Sequence, residues 1–260
     1  MKRLLLAVLV VAPVTLVAQE RTLQPRPGGA PASVRPPAPQ PPPQQQPRQT
    51  PLLKSQSGRL FPPSALGLLE APDRDEWNKP DLIMDALGIA DGSIVADLGA
   101  GSGWFTVRLA RRVGPNGLVY GQDIQPEMIE VINRQAQLEG LKNVRTVRGT
   151  QTDPKIPGGL DAVLIMNAFH EMDDPAHPNV IVTFLQNVAR TLKPQGRLGI
   201  ADFLPGDGGP GPSAAERVDE QRVMRAAEAA GLSLQTREMV PPFQYLLVFT
   251  RAAAPSKRSS

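Results

Sequence analysis

Apolar positions follow two alternating patterns along most of this chain. A short apolar run that starts at Ser93 passes into a segment of helical spacing, Phe105–Val113, which is broken by arginines. The same change from strand-like to helix-like spacing recurs down the chain. It predicts the strands Leu118–Ile124, Asn143–Arg148, Leu160–Met166 and Leu198–Phe203, with the helices Glu127–Glu139 and Asn179–Leu192. Such alternation requires a doubly wound, mostly parallel sheet with helices on both faces, an α/β fold of the Rossmann-like type.

The C-terminal part of the chain continues this pattern. An Ala-, Glu- and Arg-rich stretch, Ala214–Ala230, predicts a helix that ends at Gly231. Leu232–Val240 and Gln244–Thr250 then predict two strands around Pro241-Pro242. A turn is expected at Lys193–Arg197, before the strand at Leu198.

The first part of the chain has a different composition. Met1-Lys2-Arg3, the apolar run Leu4–Val17 and the small residue Ala18 predict a secretory signal peptide over residues 1–18. The apolar run is short for a membrane span, which favours the signal peptide, and an uncleaved membrane anchor is the alternative. Residues 19–63 are rich in Pro and Gln, which predicts a disordered linker. A folded domain over 64–251 and a disordered tail over 252–260 complete the expected organisation.

The distribution of charge and the lack of cysteine limit the classes of function that the chain can have. Residues 1–63 hold eight Lys and Arg against one Glu, and the remainder holds 20 against 24 acids, so the high isoelectric point belongs to the leader and linker. The folded part is mildly acidic, and no nucleic-acid-binding face is expected. The chain has no Cys, which is compatible with an exported protein and excludes disulfides. The predicted signal peptide is the reason to expect export, with no stable membrane span once the leader is removed.

A glycine-rich turn follows the strand that starts at Ser93. Its pattern is Asp97-x-Gly99-x-Gly101-x-Gly103, and Trp104 stands where a dinucleotide fingerprint would need its third glycine. Glycines let the backbone approach a ligand closely. A carboxylate at the strand end suits a cationic amino group and would repel a pyrophosphate. The turn therefore favours a nucleoside ligand with a cationic group over NAD.

This turn resembles motif I of the class I S-adenosylmethionine-dependent methyltransferases, and the Leu192-Lys193-Pro194-x-Gly196-Arg197 turn before a strand is a second feature of that family. The resemblance implies a seven-stranded sheet whose last strand is antiparallel. It also implies S-adenosyl-L-methionine as cofactor, with the methionine part held by Asp97 and the turn residues Gly99, Ala100, Gly101 and Gly103.

The family pattern also suggests contacts for the nucleoside. Asp123 ends the next strand and would bind the ribose hydroxyls, although it could instead cap the helix that starts near Pro126. Ile124 would cover one face of the adenine. After the third strand the family often has an acid that binds the adenine amino group, and Thr150 stands there instead. Gln151 or backbone groups would then contact the adenine.

The segment after the fourth strand should face the methyl acceptor. His170 is one of two histidines and is the candidate general base or substrate-orienting residue. Asn167 should face the acceptor beside it and is also a candidate cofactor contact. The alternative is that His170 only hydrogen-bonds a loop carbonyl. His170, Glu171, Asp173, Asp174 and His177 also form a local set of possible metal ligands, but Pro175 and Pro178 prevent one helix from presenting both histidines, and no metal is expected.

The sequence therefore predicts an enzyme that transfers a methyl group from S-adenosylmethionine to a small-molecule acceptor. An exported, non-catalytic ligand-binding module with the same fold is the alternative. An NAD-dependent oxidoreductase is disfavoured by Trp104. The identity of the acceptor and the oligomeric state are left open.

Overall fold

The structure is a computed structural model that describes residues 61–62, 64, 67 and 72–252. The expected leader (1–18), the linker (19–63) apart from residues 61–62, and the tail (252–260) apart from residue 252 lie outside the described residues. Within the described part, no helix is long and apolar enough to cross a bilayer.

Two short helices precede the sheet, and the other helices follow its first, second, fourth and fifth strands. The helices are α1 (Arg74–Asn78), α2 (Pro80–Ala86), α3 (Trp104–Val113), α4 (Pro126–Leu138), α5 (Phe169–Met172), α6 (Pro178–Thr191) and α7 (Glu220–Ala229). The strands are β1 (Ile94–Leu98), β2 (Leu118–Asp123), β3 (Val144–Arg148), β4 (Leu160–Met166), β5 (Leu192–Phe203), β6 (Leu232–Val240) and β7 (Gln244–Arg251).

The seven strands form one sheet in the order β3-β2-β1-β4-β5-β7-β6. Strands β1 to β5 pair in parallel, and β7 is antiparallel to both β5 and β6. The expected doubly wound, mostly parallel sheet with an antiparallel last strand is therefore confirmed. The strand order reverses direction between β1 and β4, and ligands bind in the crevice that such a reversal opens at the carboxyl ends of the strands.

Hydrophobic cores cover both faces of the sheet. On one face, side chains of the central strands pack against α6 and α7, as with Ile165 and Phe184. On the other face, alternate residues of the same strands pack against α2 and α3, as with Leu164 and Leu109. Because both faces are covered, β4 is apolar at nearly every position, as its sequence predicts.

Two predicted element boundaries were wrong. The helix expected over Ala214–Ala230 is divided into a 3₁₀ turn, Ala214–Glu216, and α7, because the Asp219 side chain accepts a hydrogen bond from Gln221 N at 2.6 Å and starts a new helix. The turn expected at Lys193–Arg197 lies within β5, whose pairing with β4 begins at Leu192 and contains an irregularity there.

Candidate active site

A cavity of about 500 Å³ opens at the carboxyl ends of β1, β2 and β4. Most residues that the sequence assigned to the site line this cavity: Asp97, Gly99, Ala100, Gly101, Asp123, Ile124, Thr150, Gln151 and Asn167. The structure does not bring Gly103 or His170 to the lining. The cavity also takes in residues that the sequence did not single out, among them Phe61, Arg74 and Gln122.

The glycine turn connects β1 to α3 with three residues of positive φ. Gly99, Gly101 and Gly103 have φ values of 65°, 54° and 79°, a region that residues with a Cβ adopt at a cost. A Cβ on Gly99 would also lie 2.7 Å from the Met172 methyl carbon and 2.8 Å from Ala168 Cβ. Gly103 is the N-cap residue of α3. The turn thus brings backbone, without side chains, to the edge of the cavity.

Asp97 lies at the end of β1 and is almost completely buried. Thr106 Oγ1 donates a hydrogen bond of 2.6 Å to its Oδ2 atom. Burial raises the pKa of Asp97 to about 6, and the hydrogen bond from Thr106 and the charge of Arg74 act in the opposite direction. A buried carboxylate with so few donors gains from a cationic ligand group.

Arg74 is the cation of this part of the cavity, and sequence reasoning missed it. The residue lies on α1, is 8% exposed and lines the cavity. Its guanidinium carbon is 4.4 Å from the centroid of the Trp104 ring, while that of Arg108 is 3.5 Å from the same ring. Stacking on an aromatic ring stabilises a partly desolvated guanidinium. In the sequence, Arg74 stands among acidic residues with no periodic signal to single it out.

Asp123 ends β2 and joins it to the glycine turn. Its Oδ2 atom accepts a hydrogen bond from Gly101 N and its Oδ1 atom one from Gln125 N, each 3.0 Å long. Burial raises the pKa of Asp123, against the effect of these backbone donors. Gln125 is the N-cap residue of α4, and no side chain caps that helix. The capping alternative for Asp123 is therefore wrong, and its carboxylate borders the cavity.

The third-strand segment contributes Thr150 and Gln151 to the lining. Thr150 forms hydrogen bonds within the turn to Asp153. Its backbone N donates to Asp153 O at 2.7 Å, and its Oγ1 atom accepts from Asp153 N at 3.1 Å. Gln151 is exposed and makes no such turn contact. Apolar side chains complete this end of the cavity, including Met172 and Phe184.

Asn167 directly follows β4 and has a left-handed backbone, with φ 55°. Its Nδ2 atom donates to Asn78 Oδ1 at 3.1 Å, and Gln244 Nε2 donates to its Oδ1 atom. Asn78 on α1 and Gln244 on β7 are fully buried, so their two amides fix the position of Asn167. An unfavourable backbone conformation that is held in this way is often found at functional sites.

His170 lies behind the cavity wall rather than in it. Its side chain is 7% exposed, and its Nδ1 atom lies 2.9 Å from Oδ1 of Asp202, which is fully buried at the end of β5. Its neighbour Glu171 lines the cavity, and the Glu171 Oε2 atom accepts a hydrogen bond from Phe61 N at 3.2 Å. The structure therefore presents Glu171, not His170, to a ligand.

The other acidic residues of this segment are engaged in ion pairs. Asp173 pairs with Arg222, and Asp174 Oδ2 lies 2.7 Å from His177 Nδ1. Within the residues that the structure describes, no group of three or more His, Cys, Asp or Glu side chains is arranged to hold a metal ion.

Comparisons with known proteins agree with this fold. Residues 95–196, from β1 to the start of β5, match a family described as a methyltransferase domain. The chain is similar to a crystal structure of an S-adenosylmethionine-dependent methyltransferase from Aquifex aeolicus, with a TM-score of 0.67 and 28% identity over 73% of this chain and 98% of that one. The described residues thus have the fold of the class I S-adenosylmethionine-dependent methyltransferases.

Curated relatives are similar over a shorter region. A demethylmenaquinone methyltransferase of Lactococcus lactis is 31% identical over 116 residues, 44% of each chain. An uncharacterized methyltransferase of Mycobacterium tuberculosis is 36% identical over 139 residues, 53% of this chain and 49% of the relative. The chain spans about half the length of the curated relatives it matches.

Proposed function

We propose that this chain, whose residues 95–196 match the methyltransferase domain family, is an S-adenosylmethionine-dependent methyltransferase that acts on a small molecule. The observation that carries the proposal is the pair of opposite charges in the cavity. The buried carboxylate of Asp97 and the buried guanidinium of Arg74 lie close enough for Arg74 to lower the pKa of Asp97. They complement the ammonium and carboxylate of the methionine part, while Asp123 at the next strand end suits the ribose hydroxyls.

Two further features of the cavity fit this cofactor. The Gly99 position has no room for a side chain, as its close approach to Met172 and Ala168 shows, so backbone alone meets the ligand there. The Ser102 hydroxyl lines the cavity, is buried, and has no hydrogen-bond partner among the described residues. A buried hydroxyl without a partner is costly, and a polar ligand atom would satisfy it.

The residues of this chain would act chiefly by binding and orientation. S-adenosylmethionine supplies an electrophilic methyl group on its sulfonium when bound. Asp97, Arg74 and Asp123 would fix both ends of the donor, and the rigid position of Asn167 would fix the wall beside it. Holding donor and acceptor in line is the largest contribution that such a site makes to the rate.

The names of the matched relatives support a small molecule as the methyl acceptor. The matched relatives include methyltransferases whose names refer to small molecules, demethylmenaquinone and nocamycin. A cavity of about 500 Å³ is of the size that small-molecule sites have. The folded part is mildly acidic overall, which favours a small molecule over a nucleic acid as the acceptor.

We also propose that the chain is exported, on the basis of the basic, apolar and small-residue succession over residues 1–18. Mass spectrometry of the protein after expression with its leader, together with cell fractionation, tests this proposal. A mass that lacks residues 1–18 in a soluble extracytoplasmic fraction supports export. An intact mass in the membrane fraction supports the anchored alternative.

Titration calorimetry of the full chain tests the proposed function. S-adenosylmethionine and S-adenosylhomocysteine are expected to bind in the micromolar range, and NAD is the negative control. Absence of binding by both sulfur ligands would contradict the proposal and favour the non-catalytic module with another ligand.

The charge pair has its own test in the same assay. Arg74→Met should weaken the binding of S-adenosylhomocysteine about 10- to 100-fold, because a charged hydrogen bond contributes about 1.5–3 kcal/mol. The affinity for 5′-methylthioadenosine, which lacks the amino-acid part, should stay unchanged. Arg108→Met is the matched control, because Arg108 stacks on the same Trp104 ring but does not line the cavity. An equal loss for both nucleosides would refute the assigned role of Arg74.

A further inference from the structure

Three titratable residues form a line from the interior of the sheet to the cavity. Asp202 is the second-last residue of β5, and His170 follows β4 on α5. Because β4 and β5 are parallel neighbours, with Met166 opposite Ala201, their carboxyl ends meet at one edge of the sheet. Glu171 comes next in the chain and lines the cavity.

The inner part of this line fixes the histidine ring. Asp202 accepts hydrogen bonds from the backbone N of His170 at 3.0 Å and of Phe203 at 2.8 Å, and its oxygens lie 2.9 and 3.1 Å from His170 Nδ1. A carboxylate can only accept here, so Nδ1 carries a proton and donates it to Asp202. The ring also packs edge-on against Phe203, with the centroids 6.2 Å apart. Nε2 is therefore the nitrogen left to exchange a proton.

The outer part of the line connects that nitrogen to the cavity. His170 Nε2 lies 3.8 Å from Glu171 Oε1, which is within ion-pair distance and longer than a hydrogen bond. A rotation of the Glu171 side chain or one water molecule would close the gap. The Glu171 side chain is 24% exposed, so it alone of the three can meet both a ligand and solvent.

We propose that Asp202, His170 and Glu171 form a proton-transfer chain in which Glu171 is the catalytic base that faces the methyl acceptor and His170 is its positioning residue. This inference rests on the proposed function. It assigns the acceptor to the groups that must lose a proton on methylation, such as a phenolic or enolic hydroxyl. The sequence singled out Glu171 only as a possible metal ligand, and the role of base passes to it from His170.

The proposed step is balanced within the site. The acceptor oxygen forms its bond to the methyl carbon as the carbon–sulfur bond breaks, and that electron pair stays on sulfur. The acceptor proton goes to the Glu171 carboxylate and is shared with His170 Nε2, where the charge of Asp202 stabilises the imidazolium. It leaves to solvent through the exposed edge of Glu171.

The electrostatics of the three groups suit this transfer. Burial raises the pKa of Glu171 to about 7, opposed by the His170 charge and the Phe61 N–H and assisted by Asp202 and Asp123. Burial lowers the pKa of His170, but the charge and hydrogen bond of Asp202 outweigh it and raise the pKa overall. Glu171 on α5 and Glu216 on the 3₁₀ turn raise it further. A base that titrates near neutral pH is well matched to a weakly acidic hydroxyl.

Histidine NMR of the full chain tests the coupling directly, because the chain has only two histidines. With ¹⁵N-histidine labelling, His177 is an internal reference, since its side chain is 73% exposed and pairs with Asp174. We expect His170 to carry its proton on Nδ1 in the neutral form. In Glu171→Gln the pKa of His170 should fall by about one unit, while Glu171→Asp should retain most of the raised value. An unchanged His170 titration in Glu171→Gln, or a proton on Nε2 in the neutral ring, would overturn the chain.

Turnover measurements test the role of Glu171. With catechol and menadiol as hydroxyl probes, Glu171→Gln should lower kcat about 100-fold and remove the rise in rate through pH 7. The matched control is Glu130→Gln, the same change at an exposed position of α4 outside the cavity. Wild-type rates in Glu171→Gln, or methylation confined to pyridine and thioether probes that have no proton to lose, would overturn the assignment.

Failure of this inference is distinguishable from failure of the proposed function. Circular dichroism and binding of S-adenosylhomocysteine report folding and the donor site in each variant. Intact binding without coupling between Glu171 and His170 overturns the proton-transfer chain alone. Absent binding of both sulfur ligands by the wild type overturns the proposed function, whatever the histidine titration shows.

Discussion

Replacement of Asp97 by Asn should make the ligand-free protein more stable and should lower its affinity for S-adenosylhomocysteine. Burial raises the pKa of Asp97 from its ordinary value of 3.8 to about 6. That difference corresponds to about 3 kcal/mol, by which the ionised form is disfavoured in the folded protein. The amide of the variant keeps an oxygen for the Thr106 hydroxyl, which donates to Asp97 at 2.6 Å, and has no charge to desolvate.

The sign of the pH dependence follows from this raised pKa. Between pH 3.8 and about 6 the folded state binds more protons at Asp97 than the unfolded state does. Stability of the wild type relative to Asp97→Asn should therefore fall as the pH rises through this window and stay constant above it. We expect the variant to be more stable by about 3 kcal/mol at pH 8 and by nearly nothing at pH 4.

Urea unfolding of both proteins at pH 4 and pH 8, without ligand, measures this difference. Asp207→Asn, at an exposed loop position, is the control and should change little at either pH. With saturating S-adenosylhomocysteine the advantage of the variant at pH 8 should shrink to about 1 kcal/mol, because the variant should bind the ligand about 30-fold more weakly through loss of a charged hydrogen bond of about 2 kcal/mol. A variant that is less stable than the wild type at pH 8, or a difference that is equal at the two pH values, would refute the reasoning.

Three further changes test the rest of the site and fold. Asp123→Asn should weaken the binding of S-adenosylhomocysteine at least about 10-fold, as measured by calorimetry, while the free energy of unfolding changes by only about 1 kcal/mol. A loss of stability without a loss of affinity would contradict the assignment of Asp123 to the ribose. Gly99→Ala should destabilise the fold by about 1–3 kcal/mol in urea, because of its positive φ and the close contact with Met172, and wild-type stability would show that the turn is looser. Tyr245→Phe should cost about 1 kcal/mol, because the buried Tyr245 hydroxyl donates to Val218 O at 3.0 Å; an unchanged midpoint would show that this bond contributes nothing.

The alternation of strands and helices could be predicted because its signal is local. Apolar spacing within a dozen residues reports which face of an element is buried, so β1, β2 and β4 were identified from periodicity. The acids at strand ends, Asp97 and Asp123, were also predictable, since parallel strands present their carboxyl ends at one edge of the sheet. Boundaries that depend on a single cap, such as Asp219, were less well predicted.

The sequence by itself determined the doubly wound sheet, the glycine turn and the two strand-end carboxylates, because each is written in neighbouring residues. Only the tertiary structure decided which charges meet in the cavity. Arg74 reaches Asp97 from a helix that precedes the sheet, and Asp202 reaches His170 from the next strand. Arg74 and Asp97 are 23 positions apart in the sequence, and His170 and Asp202 are 32 positions apart, so no local periodic pattern links the members of either pair. Their contact follows from the order of strands and the packing of α1, which long-range burial sets and no local pattern encodes.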